Sequence, residues 1–289
     1  MPEAVTHTLD VPGGVLVYDV ITTGADGRRP LFMIGHPMGT SGFLELASYF
    51  PDRTVVSYDP RGCDRSQVVD AEHSPRQNAE DVHQLIGLVG GGPVDVFGSS
   101  GGAVTGLALV TQYPDDVGVL VAHEPPILGV LPDADNARAA FNKVTQAYHR
   151  GGFGAGMAQF IALTSTEGEF TPAHLDQPAP DPAMFGLPTE DDGGRDNVLL
   201  SGVSDPVIEY QLDPDALNAA PTRVVIAAGT ESRNQIPGRA AAEVAGILGT
   251  DLTMFPSHHG GFNGGEGPYA GKPAEFAARL REVLAAGEP

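Results

Sequence analysis

Apolar residues fall along this chain in short runs of two kinds, and their alternation predicts the fold. Residues 5–9 and 15–21 are β-prone and are separated by the turn signal Pro12-Gly13-Gly14, which predicts a hairpin. A second turn over residues 24–30 leads to Leu31-Phe32-Met33-Ile34, a continuous apolar run of the kind that forms a buried strand. Residues 43–50 place apolar side chains at 43, 44, 46, 47 and 50, a helical spacing. Then come a strand at 54–58, a helix at 76–89, a strand at 94–97, a helix at 102–112 and a strand at 117–122. Strands that alternate with helices at this spacing pair in parallel and need cover on both faces, so the class is α/β.

The alternation stops after Glu124-Pro125-Pro126. From 127 to 220 there is no buried-strand run; helices are predicted over 133–150 and 155–163, followed by a Pro/Asp/Gly-rich stretch at 171–194. A structureless loop of that length is uncommon, so the segment reads as a helical cap inserted between core strands. Phe141, Phe153, Met157, Phe160, Phe170, Met184 and Phe185 then build its own core or face a pocket beneath it. The α/β rhythm resumes with a strand at 223–228, a helix at 237–248, a strand at 251–255 and a last helix at 273–286. The division is 1–126 and 221–289 for the core and 127–220 for the cap, with no internal repeat.

Charge narrows the list of partners. The 289 residues carry 37 acidic and 16 basic side chains, a net charge of −21, with Lys143 and Lys272 the only lysines and no basic patch. Such a chain repels phosphate backbones and anionic lipid, so neither nucleic acid nor a membrane surface is expected as a partner. The single cysteine, Cys63, is read as excluding an internal disulfide and any cysteine-based zinc site. The histidines show no metal-ligand spacing, so no metal is expected. Residues 1–10 lack the basic start and apolar stretch of a secretory signal, and no apolar run reaches the ~20 residues of a membrane span, so a cytoplasmic protein is expected. The sequence says nothing about oligomeric state.

The strongest chemical signal is Gly98-Ser99-Ser100-Gly101-Gly102, which follows a predicted strand and opens a predicted helix. A strand that turns abruptly into a helix crowds the backbone, so glycines must flank the central serine, and the turn leaves that side chain exposed above the sheet. Here the chain resembles the α/β-hydrolase family over nearly its whole length. The resemblance rests on the hairpin, Gly35-His36-Pro37, Asp59-Pro60-Arg61-Gly62, the elbow, the inserted cap and a late histidine. The closest likeness is to capped serine hydrolases of the esterase, lactonase and C–C hydrolase kind.

The resemblance implies an α/β-hydrolase fold, a Ser–acid–His triad and no cofactor. Ser100 takes the nucleophile position. Its base follows the last strand, where Ser257-His258-His259-Gly260 stands, and His259 is preferred to His258. The family's usual acid slot holds Ser232, which departs from the pattern; Glu231 is one residue early, and Glu124, after the strand that precedes the cap, is preferred. The oxyanion donors are expected to be the N–H groups of Gly101 and His36, with Met38 as the alternative to His36. The turn at 59–66 is read as structural, and Cys63 within it as incidental. Gly152–Gly156 follows no strand and is not a dinucleotide-binding loop.

The expected reaction is hydrolysis of a small or medium, partly apolar ester, thioester or lactone through an acyl-enzyme. The same triad could serve C–C bond hydrolysis, perhydrolysis or a lyase or cyclase step on a natural-product skeleton. A non-catalytic ligand-binding relative is the remaining alternative.

Overall fold

The computed structural model describes residues 4–22, 27–69, 72–265 and 270–286. The turn expected over 24–30 lies partly outside them. The strands are β1 (Val5–Val11), β2 (Gly14–Ile21), β3 (Leu31–Ile34), β4 (Val55–Tyr58), β5 (Gln67–Val68), β6 (Val94–Ser99), β7 (Val117–His123), β8 (Arg223–Gly229) and β9 (Thr253–Phe255). They form one sheet in the order β1-β2-β4-β3-β6-β7-β8-β9, with β5 paired to β2. The hairpin β1–β2 is antiparallel, and from β4 through β3, β6, β7 and β8 to β9 every pairing is parallel. This is the α/β-hydrolase fold.

The apolar runs are explained by cover on both faces. Successive strand side chains point to opposite sides, so Phe32, Ile34, Val56 and Val96 pack on one face while Leu31, Met33, Val55 and Phe97 pack on the other. The first face is covered by α2 (Pro75–Leu88), α3 (Gly101–Gln112) and α8 (Ile236–Leu248), through residues such as Leu85, Leu107 and Val244. The second is covered by α1 (Leu44–Ser48) and α9 (Pro273–Ala285), through Leu46, Phe276 and Leu280. Helix α1 is shorter than expected: Phe43 belongs to a 3-10 turn at Thr40–Phe43, and the helix ends at Ser48 with Tyr49 as its C-cap.

Between β7 and β8 the described elements are helical: α4 (Ala134–Thr164), α5 (Pro172–Leu175), α6 (Asp205–Ile208) and α7 (Pro214–Ala219), with short 3-10 turns. The two helices expected at 133–150 and 155–163 are one long helix broken at Gly152, whose φ of 75° and ψ of −165° no helical residue adopts. A β-carbon there would also stand 2.5 Å from the Asp191 carboxylate. The glycine run therefore marks a kink where another segment packs close. Phe170 is buried within this helical segment, and Phe141, Phe153, Met157 and Phe160 pack partly buried against its apolar cluster. Phe141, Met157 and Phe160, with the exposed Met184 and Phe185, also line cavities. Ile236 and Ala240 of α8 join its apolar cluster, and a partly buried ion pair between Asp133, at the start of α4, and Arg239 ties α4 to α8.

The loops above the C-terminal strand ends are held by charge. Asp59 accepts the Thr40 N–H at 2.8 Å and Arg65 Nε at 2.6 Å, and the buried Arg61 grips Asp81 of α2 with Nε at 2.6 Å and Nη2 at 2.7 Å. A buried pair with both oxygens engaged orders its loop more than it stabilises the fold. These contacts fix the turn at 59–66 relative to the loop after β3. No helix among the described residues is long and apolar enough to cross a membrane.

Candidate active site

Ser100 sits between β6 and α3 with φ 56° and ψ −124°, a conformation that costs a non-glycine residue on the order of 1–3 kcal/mol. Its surroundings impose it. Its N–H donates to the His123 carbonyl at 3.0 Å, and its own carbonyl accepts the Ala103 N–H at 2.9 Å. The neighbouring glycines are needed for space: a β-carbon at 98 would stand 2.5 Å from the Gly102 oxygen, and one at 101 would stand 2.7 Å from the His36 oxygen. The hydroxyl is thereby presented at the N-terminal end of α3, where the helix dipole favours negative charge.

Glu124 follows β7, and its φ of 54° turns the chain out of the sheet. Its side chain is fully buried, and both oxygens are used. Oε1 accepts the Gly229 N–H at 2.9 Å and the Ser232 hydroxyl at 2.5 Å; Oε2 meets His259 Nδ1 at 2.5 Å. Burial pushes the carboxyl up, but the His259 bond, the neighbouring imidazoles and the Ser232 hydroxyl outweigh it and hold it down at about 2. The contact fixes the imidazole: Nδ1 carries the proton and Nε2 is left as the acceptor. His259 is partly exposed and lines the same cavities as Ser100.

The other expected residues divide clearly. Glu231 is half-exposed and pairs with Lys272 Nζ at 2.9 Å, which lowers its pKa; its carboxylate is engaged outside the cavities. His258 accepts the Gly260 N–H on its own Nδ1 at 3.1 Å. His36 is buried, follows β3 and lines both cavities with Ser100; Gly101 lines the larger one and Met38 the smaller. Burial, with His73 adding to it, lowers His36 to about 3, so its imidazole is neutral at pH 7.

Two residues not expected from the sequence shape the site. Ser232 occupies the slot where the family usually has its acid and donates to the Glu124 carboxylate. The sequence marked the slot but not this role. His123 lies fully buried behind the site among Phe97, Phe255, Phe262 and Phe276. Its ring centroid is 6.1 Å from that of His259, and burial lowers it to about 4.

The cavities, of about 590 and 700 Å3, share His36, Pro37, Ser100, Phe160, Leu199 and His259. The larger is lined by Phe141, Ile161, Leu163, Val207 and Ile208; the smaller adds Ser41, Asp64, Asn197 and Asn263. Two mainly apolar lobes, each with several polar side chains, meet at Ser100.

The sequence model of the alpha/beta hydrolase fold family matches residues 30–177, and the chain belongs to this family. Fold and family together make it a hydrolase of the α/β-hydrolase type. It is 29% identical over 287 residues to YraK, an uncharacterized hydrolase of Bacillus subtilis, covering 96% of this chain and 95% of that one. Among solved structures it is similar to an esterase from Thermogutta terrifontis, with TM-score 0.62, 18% identity and coverage of 99% and 100% of the two chains. It is also similar to the N-acyl homoserine lactonase AidH in complex with N-hexanoyl homoserine, with TM-score 0.61, 16% identity and coverage of 98% and 97%. At these identities the two structures share the fold.

Proposed function

We propose that the chain is a cofactor-independent serine hydrolase that acts on a small or medium, partly apolar ester, thioester or lactone through an acyl-enzyme on Ser100. The observation that carries this reading is the His259 Nδ1–Glu124 Oε2 contact of 2.5 Å beside a serine held at positive φ in the same cavity. A serine hydroxyl is a weak nucleophile, and a base oriented by a buried carboxylate supplies what it lacks.

Ser100 Oγ attacks the acyl carbon and its proton passes to His259 Nε2. Glu124, kept ionised, stabilises the imidazolium. The oxyanion is held by the N–H groups of Gly101 and His36, each donor worth about 2.7–4 kcal/mol in such sites. Collapse of the intermediate expels the leaving group, which takes the proton from His259. Water then enters, gives a proton to His259 and attacks the acyl carbon; the bond from that carbon to Ser100 Oγ breaks, Oγ takes the proton back from His259, and the acid is released.

The two lobes support the substrate class. Both are mainly apolar, which suits a partly apolar substrate with its acyl chain and leaving group on either side of Ser100. The cap proposed over 127–220 supplies Phe141, Phe160 and Leu163 to the apolar wall.

Intact-mass spectrometry after treatment with a small fluorophosphonate tests the reading, with Ser100→Ala as control. One adduct on the native chain and none on the variant is the expected result. A folded chain that takes no adduct overturns the proposal in favour of a non-catalytic ligand-binding protein.

A further inference from the structure

Among the described residues, one group of three metal-capable side chains converges, and no two of its members are close in sequence: His36 from the loop after β3, Cys63 from the turn after β4, and His73 from the segment before α2. All three are buried, and one ligand atom from each lies within 4.8 Å of the others. We propose that His36, Cys63 and His73 form a binding site for one borderline divalent cation, of which Zn2+ is the type, on the wall of the cavity that holds Ser100.

The geometry carries the proposal. Zinc–nitrogen bonds of about 2.0–2.1 Å in a tetrahedron set the two nitrogens roughly 3.3–3.4 Å apart. His36 Nε2 and His73 Nδ1 are 3.4 Å apart, which is long for a hydrogen bond and matches that edge. With a zinc–sulfur bond of about 2.3 Å the nitrogen–sulfur edge is roughly 3.6 Å, so the sulfur, within 4.8 Å of the nitrogens, needs to close by roughly 1.2 Å at most. Two imidazoles and a thiolate are a donor set for zinc-like ions and a poor one for Mg2+ or Ca2+, which take oxygen.

The Arg61–Asp81 and Arg65–Asp59 pairs hold the turn that carries Cys63. His36 and Cys63 both line the smaller cavity, which gives the ion a route in and leaves its fourth position to water or to an anionic group of a ligand. Capture forms the metal–sulfur bond and breaks the S–H bond, and the proton goes to solvent. An ion held there would tether His36, the residue proposed to donate to the oxyanion, so metal occupancy would couple to the reaction centre.

The test reads metal, not turnover, so its outcome is independent of the role of Ser100. The chelator-stripped, tag-free full chain is titrated with Zn2+ by calorimetry, and metal retained through gel filtration is counted. Expected are one equivalent retained by the native chain and at least tenfold weaker binding by Cys63→Ser and by His73→Gln, each checked for native circular dichroism. With Co2+ as the probe, the native chain should show the intense visible bands of a tetrahedral site and a thiolate charge-transfer band. No retained metal, affinity unchanged in both variants, or Co2+ bound without the charge-transfer band would overturn the proposal.

Discussion

Ser232 Oγ donates to Oε1 of Glu124 at 2.5 Å, linking the residue in the family's usual acid slot to a carboxylate 108 positions earlier. With the Gly229 N–H on the same oxygen, it leaves Oε2 for His259. Serine therefore acts at this position by holding an acid. Ser232→Ala should lower kcat roughly 10-fold to 100-fold with KM little changed, because one donor to a buried charge is worth about 1.5–3 kcal/mol. Steady-state kinetics on an ester found by screening would check it.

The two carboxylates differ in their settings, and their variants should differ accordingly. Glu124→Gln should reduce kcat by about 10^3–10^4-fold, since the amide favours the wrong imidazole tautomer. Glu231→Gln should stay within about twofold of the native rate, because Glu231 pairs with Lys272 at the surface. Comparable losses from both would remove the distinction. The comparison needs only kcat for the two variants.

Close packing under the elbow makes a stability prediction. A methyl group at position 102 would stand 2.1 Å from the Ile34 carbonyl oxygen, which is backbone and cannot rotate away. Gly102→Ala should cost about 3 kcal/mol or more and lower Tm by at least about 6 °C. Gly246, with no atom close to the position of an added β-carbon and set within α8, should tolerate alanine with no loss. Calorimetric melting of the two variants gives the comparison.

His123 should make the fold acid-sensitive in a defined window. It faces Ser99, Glu124, His259 and four phenylalanine rings, and burial, partly opposed by Glu124, lowers its pKa from 6.5 to about 4. The unfolded chain takes up this proton below 6.5 and the folded chain only near 4. The contribution is therefore complete above pH 6.5 and is lost as pH falls towards 4, by at most about 1.4 kcal/mol per pH unit. Urea unfolding of the native chain and His123→Leu at pH 7, 6 and 5 should show the native stability falling faster with acid. Parallel curves would contradict it.

Short-range rules accounted for much of the architecture. Strand β3 was legible residue for residue because a buried parallel strand is a continuous apolar run, and Ser100 was legible because the elbow needs its glycines within a few positions. Element ends moved by a residue or two, as frayed ends do. Strand β5 has two residues, too few for any pattern, and exists only because β2 offers it an edge.

Chemistry carried by distant residues was legible only in part. Two carboxylates both stand near strand ends in the sequence, and burial and direction decide which meets His259; those are properties of the packed sheet. The His36–Cys63–His73 cluster escaped every spacing rule because its members come from three separate loops, brought together by the Asp59 and Arg61 contacts. Sequence alone thus determined the α/β class and the elbow, each set by periodicity or by local backbone sterics, while the preference for His259 follows from the family resemblance. Tertiary structure alone decided the carboxylate's partner, the part played by Ser232 and the two lobes meeting at Ser100, because contacts between segments far apart in the chain form only once the core has packed.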